Sequence, residues 1–139
     1  LGLAVVDEKI NSYIEDKYSV LLKYEKNICE ELLKLIKDRR NFDFTCGCKL
    51  NNLMQELSPI DEDFKIALEK VYIRFENIIE EVLNKAVKNG EIKHNDTKAL
   101  SMFVVASIEG CLGTAKKSQD GNYFQTCISQ LEQFLNSLK

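Results

Sequence analysis

This 139-residue sequence predicts an all-α fold, a bundle-like domain of about six helices that dimerises through its last two. Three observations predict it. Apolar residues recur at spacings of three and four along almost the whole chain, no stretch alternates apolar and polar residues as a half-buried strand would, and proline occurs once.

The elements follow in order. Leu3, Val6, Ile10, Tyr13 and Ile14 share one face of a first helix whose phase continues to Tyr18 and Leu21. A second helix carries Ile28, Leu32, Leu35 and Ile36 and dissolves at KDRRNFDFT. Leu50, Leu53, Met54 and Leu57 make a short third helix, stopped near Ser58-Pro59 because the residue before proline is pushed out of the helical region. In PIDEDF, Asp61 is the expected N-cap, with acids in the first turn where the helix dipole favours them. The long helix that follows buries Phe64, Leu68, Val71, Phe75, Ile78, Ile79, Val82 and Ala86, and ends with Gly90 as its C′ residue. Asn95 or Asp96 caps the next helix, KALSMFVVASIEGCLGTA, which is apolar on nearly all sides and so needs covering on nearly all sides. The last helix, with Tyr123, Phe124, Cys127, Ile128, Leu131, Phe134, Leu135 and Leu138, has a stripe too wide for one neighbour. Both helices are therefore expected to pack on the core at one side and on a second copy at the other, through Ile108, Cys111, Leu112, Phe124, Cys127, Leu131 and Phe134.

Composition bounds the function. A chain of this length makes one domain, burying roughly two-thirds of its unfolded surface. Apolar residues are 45% and charged residues 29% of the chain, the balance of a globular protein. No apolar run approaches the ~20 residues of a bilayer span. The net charge is −3, and acids and bases alternate, as in EEVLNKAVKNGEIK. Phosphate-binding surfaces need clustered Lys and Arg, so this chain is not expected to grip DNA by itself. Five cysteines, an odd number and mostly amid apolar neighbours, fit reduced thiols in a cytoplasm. The opening LGLAVVDEKI has no basic leader and starts inside an apolar pattern without a cap. That predicts the back part of a longer protein.

Catalytic chemistry is thinly supplied. His94 is the single histidine, in a polar inter-helix turn, so a Ser or Cys nucleophile has one candidate base and no evident orienting partner. No phosphate-cradling glycine loop occurs. Cys46-Gly-Cys48 offers two thiolates where structural zinc wants four ligands, and redox pairs are usually C-x-x-C rather than C-x-C. No enzyme activity, cofactor or metal is expected. Glu109 interrupts an apolar helix beside Gly110 and Gly113, which lower helix propensity and suggest a close backbone approach, within the core or across a dimer.

The stretch GCKLNNLMQELSPIDEDFKIALEKVYIRFENIIEEVLNKAVKNGEI resembles the ligand-binding domain of TetR-family transcriptional regulators, as does DTKALSMFVVASIEGCLGTAKKSQD. Gly47-Cys48, Asn52-Leu53, Glu56-Leu57, Gly90 and Glu109-Gly110 carry the likeness, over about Gly47 to Leu138. It makes Cys48 a small apolar opener of a core helix and leaves Cys46 without a role. It implies that residues 1–20 begin a linking helix from an upstream helix-turn-helix domain, and that the whole chain, 1–139, is the effector-binding and dimerisation domain of a cytoplasmic repressor. A small, mainly apolar effector would then sit among the middle helices, against Phe42, Leu50, Met54, Tyr72, Phe75, Ile79, Phe103 and Ser107, and shift the spacing of two DNA readers. Core packing is the competing reading at each of these positions. A helical dimerisation or protein-interaction module without a ligand is the alternative function.

Overall fold

The computed structural model describes residues 11–38, 62–118 and 121–139, and every element among them is helical. Five α-helices appear: α1 (Asn11–Tyr18), α2 (Ile28–Lys37), α3 (Glu62–Lys88), α4 (Thr97–Ser118) and α5 (Gly121–Ser137), with a 3₁₀ turn, Ser19–Lys23, after α1. The all-α expectation holds. The expected short helix around Leu50–Leu57, the Asp61 cap, Cys46 and Cys48 lie outside the described residues.

The long antiparallel hairpin of α3 and α4 is the frame, and α5 folds back onto α4. α1 and α2 pack on the α3 side, and α2 also reaches α5. The core runs through all five helices, from Ile14, Tyr18, Leu32 and Ile36 through Phe75, Ile79 and Leu83 to Val104, Ile108, Phe124 and Ile128. On α1 the phase through Ile14, Tyr18 and Leu21 is buried as expected, whereas Tyr13 is exposed. The 100° step per residue carries Tyr13 off the buried face; beyond it the chain tightens to 3₁₀ at Ser19, whose hydroxyl donates to the Glu15 carbonyl.

Local signals end and start the helices where the residues dictate. Gly90 has φ 77°, and it closes α3 in a Schellman pattern: its N–H donates to the Val87 carbonyl at 3.0 Å, and the Glu91 N–H reaches back to Ala86 at 2.9 Å. Gly90→Ala is expected to cost about 1 kcal/mol because an L side chain is strained at this φ, although no described residue crowds the position; Gly90→Asn should cost less. Equilibrium urea unfolding measures both. Asp96 caps α4, its carboxylate accepting the Ala99 N–H at 3.0 Å.

The start of α2 is unusual. Asn27 is left-handed at φ 58° and its side chain does not cap the helix. The Glu91 carboxylate, 62 residues away, accepts the Cys29 N–H at 3.0 Å instead. Asn89 holds the other Glu91 oxygen at 3.0 Å and the Glu25 carbonyl at 2.8 Å, while Lys85 donates to the Leu22 carbonyl at 2.8 Å. The end of α3 thus fastens the whole connection between the 3₁₀ turn and α2.

Candidate functional site

α4 is apolar on two faces, and its neighbours cover one of them. Leu100, Val104, Val105, Ile108, Leu112 and Ala115 are buried; Met102 and Phe103 are about half exposed. Residues Thr97–Ala115 are long and apolar enough to cross a membrane by length and composition, contrary to the sequence expectation, and half of that stretch is buried within the fold. α5 repeats the division: Phe124, Ile128, Leu131 and Leu135 are buried, while Tyr123 and Phe134 project outward.

Between the outward faces of these two helices runs a groove of about 930 Å³, open to solvent. Phe103, Ser107, Gly110, Cys111 and Thr114 line it from α4, and Tyr123, Thr126, Cys127, Leu131 and Phe134 from α5. The Phe103 and Phe134 rings meet edge to face, 5.3 Å apart, at one end. The groove's serine and threonine hydroxyls are already satisfied on their own helices: Ser107 donates to the Phe103 carbonyl at 2.7 Å, Thr114 to Gly110 at 2.8 Å and Thr126 to Asn122 at 2.9 Å. They present carbon rather than an unmet donor. Among the described residues a methyl group at Gly110 would meet nothing within 4 Å, so no close approach between them explains that glycine.

Cys111 and Cys127 are bridged, with Cα atoms 5.6 Å apart. This corrects the expectation of reduced thiols throughout: a count of cysteines says nothing about which two helices bring sulfurs within bonding distance. Cys29 is free and buried, and its thiol is pushed up to about 11, first by burial and then by the negative charge of Glu91. Among the described residues no three His, Cys, Asp or Glu side chains gather as metal ligands.

The structure divides the residues singled out from sequence. Of the expected interface set, Cys111, Cys127, Leu131 and Phe134 line the groove, whereas Ile108, Leu112 and Phe124 face inward and are enclosed by their own chain. Of the expected effector set, Phe75 and Ile79 are fully buried and Tyr72 is half-buried beside them on α3. Phe103 and Ser107 line the outer groove instead. Phe42, Leu50 and Met54 lie outside the described residues. Gly110, Thr114, Asn122, Tyr123, Thr126 and Gln130 line the groove without being expected there, though Phe103, Ser107, Gly110 and Thr114 follow one another at steps of three and four, a readable stripe.

A ring contact and an ion pair with α3 are among the interactions that couple α1 to the core. The Tyr18 and Phe75 rings lie 4.6 Å apart, and Arg74 forks onto both oxygens of Glu15, with Nε–Oε2 at 2.8 Å. The hydrogen bond from Arg74, more than its charge, holds the Glu15 carboxyl below its ordinary range.

Residues 26–130 match the family model described as the C-terminal domain of LmrA/YxaF-like transcriptional regulators, of the TetR type. The chain belongs to the TetR family of transcriptional regulators. Regulators of this type bind DNA and generally act as dimers. The chain is also 29% identical, over 134 residues, to an uncharacterised HTH-type transcriptional regulator in the lacX 3′ region of Lactococcus lactis subsp. lactis, a match that covers 94% of this chain and 67% of the relative. No solved structure matches it. In this TetR-family chain the familiar signals Gly90 and Glu109-Gly110 fall at the end of α3 and on the groove-bearing helix α4.

Proposed function

We propose that this chain is the effector-sensing and dimerisation part of a cytoplasmic TetR-family repressor, with DNA bound only through a helix-turn-helix domain upstream of residue 1. The observation that carries the reading is the open groove on α4 and α5, in a family whose regulators generally pair. Its aromatic ends, self-satisfied serine and threonine hydroxyls and bare Gly110 suit the same two helices of a second copy, related by a two-fold axis.

Effector control follows from the α1–α3 contacts. In this reading α1 is the described part of the linking helix. A small, mainly apolar molecule lodged beside Tyr72, Phe75 and Ile79 would displace Tyr18 and Arg74, and α1 with them. Two DNA readers carried on such helices lose the spacing that matches successive major grooves. Phe103 and Ser107, facing the outer groove, belong to the pairing surface.

A thermal melt against a library of small apolar compounds tests the sensor. A binder at a hundred times its dissociation constant stabilises the fold by roughly 2.7 kcal/mol, a rise of roughly 9 °C for a domain of this size. The complete burial of Phe75 and Ile79 favours the second reading, a dimerisation or protein-interaction module without a ligand. A library that moves no melt while the dimer persists would select it.

A further inference from the structure

We propose that Cys111 and Cys127 are a reversible thiol–disulfide pair that exchanges with low-molecular-weight thiols and disulfides through the open groove, Cys127 reacting first. The two cysteines come from neighbouring helices, 16 residues apart in sequence, and both residues line the groove. Cys127 is half-buried, whereas Cys111 is 4% exposed, so an incoming reagent meets Cys127 first. Cys29 is the internal contrast: enclosed at 2% exposure, with its thiol held protonated, it is inert.

The location argues against a purely structural bond. Bridges that hold small domains together substitute for a missing core. Here α4 and α5 already bury Val104, Ile108, Phe124 and Ile128 in one continuous core. A regulator that acts on DNA also works where cellular thiols are kept reduced, and there a bridge is one that opens and closes. That step rests on the proposed cytoplasmic repressor.

The chemistry balances with glutathione disulfide as oxidant. The Cys127 thiolate attacks one sulfur of the glutathione disulfide; that S–S bond breaks, one glutathione leaves as thiolate and takes up a proton, and a mixed disulfide forms on Cys127. The Cys111 thiolate then attacks the Cys127 sulfur and expels the second glutathione. Two protein thiols lose two electrons and two protons, and glutathione disulfide becomes two glutathione thiols. Reduced glutathione drives the reverse. A second copy seated on the groove shields Cys127, so exchange runs through the uncovered protomer.

The full chain, folded, is incubated in glutathione buffers of varied ratio, alkylated with iodoacetamide and mapped by peptide mass. The bridged Cys111–Cys127 peptide is expected to interconvert with its doubly alkylated form, at least tenfold faster than Cys29 is modified. Cys111→Ser should hold glutathione on Cys127, and Cys127→Ser at least tenfold less on Cys111; the alanine variants serve where a serine variant melts early. A bridge that opens only in urea, or equal glutathione uptake by the two variants, overturns the proposal. Exchange that slows as protein concentration rises supports it with the groove covered in the dimer. Exchange independent of concentration in a protein that still dimerises leaves the pair intact and refutes the groove as the pairing face.

Discussion

Phe75→Ala is expected to lower the unfolding free energy by about 3–5 kcal/mol, with a fall in melting temperature of roughly 10–17 °C. Phe75 has no solvent exposure and stacks against Tyr18, so truncation removes the ring's transfer free energy and leaves a cavity between α1 and α3. Chemical denaturation measures the loss. Ile73→Ala, two residues away and 54% exposed, is the control and should stay within about 0.5 kcal/mol of the parent. A Phe75→Ala loss under about 1 kcal/mol would mean that the site collapses without cost, and the placement of Phe75 in a packed core would be wrong. The substitution also loosens the ring contact between α1 and α3, so its effect on the position of α1 should exceed that of any surface change on α3.

Phe134→Glu should weaken self-association at least a hundredfold, about 2.7 kcal/mol, while the fold survives. Phe134 is 39% exposed and pairs edge to face with Phe103 at the end of the groove. A carboxylate there must either be buried unpaired against a second copy or hold that copy off. Leu131, 4% exposed on the groove floor, is a poorer probe because a charge there would also damage the monomer. Sedimentation at micromolar concentrations reads the association state, and circular dichroism reads the fold. A dimer as tight as the parent's would show that pairing uses another surface. Gly110→Leu provides an independent check: with nothing among the described residues within 4 Å of a Cβ there, the side chain should be tolerated by the protomer and rejected by the partner.

Much of this protein is legible in its sequence. Helical periodicity marked α1 to α5, because a buried stripe at steps of three and four is a local property of the chain. Gly90 and Asp96 punctuate the helices through backbone chemistry that involves only their near neighbours, and both act as expected. The excess apolar width of α4 and α5 was equally visible, and it proved to be real surface on Phe103, Tyr123 and Phe134.

Other features depended on residues far apart in sequence. An apolar residue on a two-sided helix can face inward or outward, and only the packing of α3 and α5 on α4 sent Ile108 and Leu112 into the core and Phe103 and Ser107 to the groove. The same packing brought Cys111 and Cys127 together and supplied Glu91 as the cap that Asn27 does not provide for α2. The sequence by itself determined α1 to α5, the ends marked by Gly90 and Asp96 and the surplus of apolar surface, since each follows from a residue and its neighbours within a few turns. Tertiary structure decided which side of each helix became core, which became groove and which sulfurs met, because those depend on the distances between helices, and spacing along one helix carries no information about its distance from the next.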